Sequence, residues 1–190
     1  MFTLPYLLII IFIIIYVLSP KVTGYKNRIL LICIKKRKGI NEIFMRTIKL
    51  TIDDNILKKY NQYYFEKYPK RRKEPIEQPY HPSINKWMIL QRQSMNSLKQ
   101  KWKDFMVWFI EYCGYKNFLI EECTMTFTTY FKTKIRHDSD NFVPKFILDG
   151  LVESGFIVDD DSRHLKSITL VCEIDKEYPR TEIDVFLENK

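Results

Sequence analysis

Between Gln91 and Tyr112 the apolar residues Met95, Leu98, Trp102, Phe105, Phe109 and Tyr112 recur at alternating intervals of three and four. That spacing puts all six on one face of a helix, and a face so rich in aromatic rings must be covered by another layer of the fold or by a second subunit. Gly114, just beyond the last of them, supplies a C-terminal stop. Lys99, Lys101 and Lys103 on the same helix are left for solvent or a polyanion. The stripe is more than so small a core needs, so part of it, with Trp108 beside it, is a candidate subunit contact.

Either side of this helix the period changes. Ile48, Leu50 and Ile52 alternate with polar residues across Arg46 to Ile52, which predicts a half-buried strand, and Asp53 follows as a helix cap. Met125, Phe127 and Phe131 punctuate a threonine-rich strand running toward Arg136 and His137. Asp140 or Asn141 is then expected to cap a helix carrying Phe142, Phe146, Ile147 and Leu151, with Pro144 in its first turn and Gly155 at its end. Alternation returns at Ile168, Leu170, Cys172 and Ile174 and, after a Pro179 turn, at Ile183, Val185 and Leu187, predicting an antiparallel pair. The order β, α, α, β, α, β, β predicts an α+β fold, a mixed or antiparallel sheet with helices packed on one face.

The first 44 residues are of another kind. Leu4 to Leu18 is almost wholly apolar and is followed by Lys21, Lys26, Arg28 and the cluster Lys35, Lys36, Arg37 and Lys38. This is either a short membrane anchor, with the flanking charge keeping the rest of the chain cytoplasmic, or a segment upstream of a true start at Met45. Two units are therefore expected, an extension over 1–44 and a folded domain over 45–190. The cysteines Cys33, Cys113, Cys123 and Cys172 lie in apolar runs without paired spacing, which suits free thiols in a reducing cytoplasm.

Charge divides the chain again. The formal net charge is +8, but residues 1–137 hold 25 Lys and Arg against 10 Asp and Glu, while residues 138–190 hold 6 against 13. A basic body suits phosphates, whose neutralisation releases counterions, whereas an acidic tail repels DNA unless its carboxylates carry metal. Lys70, Arg71, Arg72 and Lys73 lie in a proline-bounded stretch, Pro69 to Pro82, that reads as an exposed loop able to follow a phosphate backbone.

The acids fall into two clusters. Asp138 and Asp140 stand two apart at the end of a strand-like segment, where alternate residues point the same way. Asp159, Asp160 and Asp161 follow the intervening helix, and three successive acids are costly unless a cation neutralises them. Oxygen ligands with no nearby cysteine or paired histidines favour magnesium or manganese over zinc. His137 and His164 flank the clusters and are given no catalytic role.

Asp138-Ser139-Asp140-Asn141, then Lys145, Asp149 and Leu151, then Gly155-Phe156-Ile157-Val158-Asp159-Asp160, resemble the pattern of the RusA family of Holliday-junction resolvases: DxDN, a lysine, a DxL element and a Gly-hydrophobic-Asp-Asp turn. Pro82-Ser83-Ile84-Asn85-Lys86 looks like that family's Pro-Ser-x-Asn element, so the resemblance spans Pro82 to about Glu188. It implies a RusA-like fold and a magnesium-dependent endonuclease that works as a homodimer and nicks four-way DNA junctions symmetrically. Carried over by position, it makes Asp138, Asp140 and Asp160 the metal ligands and Lys145 the essential lysine. Two departures accompany it: one more residue than usual separates the DxDN element from the lysine, so that Pro144 looks inserted, and Asp161 is an alternative to Asp160. Two other classes stay open, a junction-binding module that does not cut and a membrane-attached interaction protein.

Overall fold

The computed structural model describes residues 15–16, 29–33, 44–135 and 137–187. Of the apolar run 4–18 only Ile15 and Tyr16 fall among these, as strand β1 (Ile15–Tyr16), so the rest of the anchor expectation lies outside the described residues, as do the basic cluster 35–38 and Arg136. No helix among the described residues is long and apolar enough to cross a membrane. The chain continues through β2 (Ile29–Cys33), β3 (Phe44–Asp53), α1 (Asp54–Lys67), the single-turn α2 (Ile84–Trp87), α3 (Arg92–Tyr112), β4 (Cys123–Phe131), a 3-10 turn (Ser139–Phe142), α4 (Lys145–Glu153), β5 (Leu165–Ile174) and β6 (Arg180–Leu187).

The fold is α+β. Its sheet runs β1-β2-β3-β6-β4-β5, with β4 and β5 parallel and the other neighbours antiparallel. Period-two alternation decides which face is buried. Ile48, Leu50 and Ile52 of β3 stand opposite Val185, Ile183 and Thr181 of β6, which in turn stand opposite Met125, Phe127 and Thr129 of β4, and all nine are buried. Buried residues of α1, α3 and α4 belong to the same core. The opposite face is polar: Lys49 pairs with Glu182 at 2.7 Å, Arg180 Nε donates to Glu182 at 2.6 Å, and the Arg180 guanidinium lies 3.6 Å over the Tyr130 ring.

The α3 stripe enters that core. Trp102, Phe105 and Phe109 are buried, joined by Met106 and Ile110, and each fully buried large side chain contributes roughly 1.5–3 kcal/mol. Trp108 and Tyr112 remain half-buried and face α1, where Trp108 stacks on Tyr63 at 6.0 Å and on Tyr112 at 5.1 Å. Asp53 caps α1 as expected, accepting from Ile56 N at 2.8 Å, and Gly114 leaves α3 in the left-handed region at φ +80°. Lys99 and Lys103 are not left for solvent, since they form ion pairs with Asp149 and Glu153 of α4. Among the described residues, Cys113, Cys123 and Cys172 form no disulfide.

The structure overturns two expectations. The alternating segments 168–174 and 183–187 do not pair with each other, because β4 lies between them. Helix α4 carries the chain back so that β5 re-enters parallel to β4, and the 175–179 turn then crosses the end of β4, held by Asp175 N donating to Phe131 O at 2.9 Å. Neither Asp140 nor Asn141 caps α4. Val143 sits at φ −57° and ψ 122°, out of the helical region as a residue before proline must be, so the 3-10 turn ends there and α4 starts afresh at Lys145 after Pro144.

Candidate active site

The 3-10 turn also changes the geometry of the first acidic pair. β4 stops at Phe131, where its hydrogen bonding to β5 and β6 ends, so Asp138 and Asp140 do not share a strand face by alternation. Asp138 instead precedes the turn in extended conformation, with its carbonyl accepting from Asn141 N at 3.0 Å, and Asp140 lies within the turn. Both are exposed. The ring of His137 stacks on Phe131 at 3.7 Å and thereby fixes where the turn begins.

Lys145 and Asp160 do come together. Lys145 is the first residue of α4, and its Nζ donates to Asp160 Oδ2 at 3.1 Å while standing 3.4 Å from Asp149 Oδ1, one helical turn on. Burial acts to lower the lysine's pKa, but the hydrogen bond it donates to Asp160 and the charge of Asp149 outweigh it and raise the value. A cation at a helix N-terminus is unfavourable alone; here two carboxylates compensate it. Lys99 closes the array from α3, 2.9 Å from Asp149 Oδ2. Four charges of alternating sign thus link α3, α4 and the aspartate turn.

The three successive aspartates have separate tasks. Asp161 Oδ1 accepts from Arg163 N at 2.9 Å and lies 2.8 Å from His164 Nδ1, while its other oxygen accepts from Arg163 Nε at 2.7 Å. The His164 and Arg163 hydrogen bonds hold its carboxyl well below the usual carboxylate range. Asp159 Oδ1 accepts from the Asp160 amide at 2.7 Å. Asp160 is therefore the member of the trio whose side chain faces α4, and Asp161 shapes the turn.

One contributor carries no sequence signal. His81 is 3% exposed, its ring centroid 4.9 Å from that of Phe146 and 5.7 Å from that of Trp102. Its Nε2 accepts from Phe146 N at 3.2 Å, taking up an amide in the first turn of α4, which has no side-chain cap. Burial pushes the imidazole down to about 4, so the ring is neutral at physiological pH with its proton on Nδ1. His81 thereby fixes the helix end from which Lys145 projects. The adjoining Pro82-Ser83-Ile84-Asn85 segment packs there too, with Trp87 of α2 5.2 Å from Phe146. Thr181 Oγ1 donating to Pro79 O at 2.7 Å holds the same loop to β6, while Lys70, Arg71, Arg72 and Lys73 stay exposed. Asp149 was legible in principle as the i+4 partner of Lys145; His81, 65 residues from its partner, was not.

Among the described residues no group of three or more His, Cys, Asp or Glu side chains is placed to hold one metal ion. The exposed carboxylates are hard oxygen donors of the kind magnesium and manganese take, so donor type fits such an ion although the described residues present no assembled ligand set. No protein-family model matches the chain, and no curated protein matches it significantly.

Proposed function

We propose that the chain is a magnesium-dependent endodeoxyribonuclease of the RusA type that cuts four-way junctions or other branched DNA as a homodimer. Asp138, Asp140 and Asp160 are the residues that would hold magnesium, or manganese in its place, and Lys145 is the residue that meets the scissile phosphate. The observation that carries this reading is the lysine at the start of α4 bound to Asp160, the acid that the resemblance singles out, with the Asp138-Ser139-Asp140 turn one short step before it in the chain.

Magnesium, when bound, supplies an activated water and charge stabilisation at the phosphate. The chain's own groups do the rest. The Lys145 ammonium is held in place by Asp160 and Asp149, and it can donate to a non-bridging phosphate oxygen as negative charge develops there. Asp161, committed to Arg163 and His164, keeps the preceding aspartates in register. The exposed Lys70 to Lys73 segment supplies counter-charge along the backbone of the DNA.

The test is a synthetic four-way junction incubated with and without magnesium. Paired symmetric nicks that require the ion are expected. Asp140→Asn and Asp160→Asn should cut no faster than buffer while binding the junction as well as or better than the wild type, because each removes a negative charge facing phosphate. Binding without cutting by the wild type would instead establish a junction-binding module, and no preference for branched DNA would remove the proposal altogether.

A further inference from the structure

β5 is the last strand of the sheet and, among the described residues, pairs with β4 alone. Proteins guard such edges with charges, prolines, bulges or short strands, because a bare edge recruits another chain. β5 is ten residues long and contains neither proline nor glycine. Its charges, Lys166 and Glu173, lie near its ends, and its one irregularity of register lies at its start, leaving Ser167 to Cys172 unguarded.

The side chains show what such an edge fits. Ile168, Leu170, Cys172 and Ile174 are aligned with Met125, Phe127, Thr129 and Phe131 of β4, on the face that carries the core. The core's cover thins over this row: Leu170 still packs against the core, but Ile168 is 38% and Ile174 49% exposed, against 1–3% for Met125, Phe127 and Phe131. The row is also self-complementary. Folded against a copy of itself about Val171, antiparallel, it sets Ile168 opposite Ile174 and Leu170 opposite Cys172, every apolar residue meeting another, with Thr169 opposite Glu173 on the other face. Of the α3 stripe, Trp102, Phe105 and Phe109 are buried in the core, which leaves Met95, Leu98, Tyr112 and the neighbouring Trp108 half-buried.

The geometry points to a second copy of this chain as the occupant: β5 pairs with β5 of its partner about a two-fold axis at Val171, so that one sheet runs through both protomers. The 3-10 turn bearing Asp140 packs on β5, so the interface strand is also the strand that supports the acidic turn. Two such turns then flank one axis, as paired cuts in a two-fold-symmetric junction require. The inference deepens the proposed function by naming its subunit contact, and rests on that reading for the use made of the second site. Sedimentation is read apart from cutting: a dimer that does not cut refutes the nuclease alone, and a cutting monomer refutes the interface and the homodimer but leaves the nuclease standing.

The experiment is sedimentation of the full chain over a wide concentration range, for the wild type, I168K, I174E and the double variant I168K/I174E, with circular dichroism reporting the fold. The wild type should dimerise, each single variant should be monomeric at concentrations where the wild type is dimeric, and the double variant should dimerise again through a Lys–Glu pair across the axis. A monomeric wild type, single variants that dimerise like the wild type, or a folded double variant that stays monomeric would each overturn the proposal. Should a variant fail to fold, hydrogen exchange on the wild type decides: those amides of 166–174 that face away from β4 protected at high concentration and released on dilution support the interface. Fast exchange there in a chain that sediments as a dimer refutes it.

Discussion

Acidification should loosen this fold through His81 before Asp161, Asp175 and Glu182, whose carboxyls their partners hold low, titrate. The imidazole is 3% exposed, so solvent screens it little, and burial depresses its pKa from the ordinary 6.5 to about 4, with the Pro82 backbone and the Asp149 charge only partly opposing. Between those two values the unfolded chain binds a proton that the folded chain refuses. Stability is therefore fully present above pH 6.5 and is lost as pH falls toward 4, by roughly 3 kcal/mol over the whole interval. Protonation of Nε2 also removes the acceptor for the Phe146 amide, which frees the first turn of α4. The assay is urea unfolding at half-unit steps from pH 7 to 4, comparing the wild type with His81→Gln, whose side-chain oxygen can accept the same amide but does not titrate. Wild-type stability should fall across the interval while the variant's holds nearly level down to the onset of carboxylate titration. Asp161, Asp175 and Glu182, whose pKa values are lowered by their partners, lose their contributions at lower pH and do so in both proteins. Parallel slopes for the two proteins would refute the assignment of the acid-sensitive element to His81.

Gly150→Ala should destabilise the fold by about 1–3 kcal/mol in urea unfolding despite the better helix propensity of alanine, because the new methyl would overlap Met106 Cβ where α3 and α4 cross; unchanged stability would mean that the crossing yields. Asp161→Asn should slow junction cutting without abolishing it while speeding amide exchange in the 159–165 turn, whereas Asp160→Asn should stop cutting, and the reverse outcome would exchange their roles. Tyr178→Phe should cost about 1–3 kcal/mol, since it removes the hydroxyl that donates to buried Asp53 Oδ2 at 2.7 Å, and a melting curve that does not move would show the bond to be replaced by water.

What the sequence by itself determined is what local periodicity encodes. The three-four spacing of Met95 to Tyr112 demanded one long helix with one buried face, and a helix over Arg92–Tyr112 with Trp102, Phe105 and Phe109 in the core is what forms. Alternation at Ile48, Leu50 and Ile52, and at Met125, Phe127 and Phe131, named strands and their buried sides, because a two-residue period survives whatever neighbour the strand acquires. The Asp53 cap was legible for the same reason, its partner being three residues away. The tertiary structure alone decided which strands touch: the same alternation at 168–174 and 183–187 is compatible with pairing or with a third strand between them, and only the return path through α4 selects the latter. The start of α4 at Lys145 combines a local effect, the pre-proline geometry that Pro144 imposes on Val143, with the acceptor offered by His81, which only the tertiary structure brings there. The order Asp159, Asp160, Asp161 likewise carries no hint that the third is bound by Arg163 and His164 while the second faces Lys145, since side-chain direction in a turn is set by the partners that fold around it.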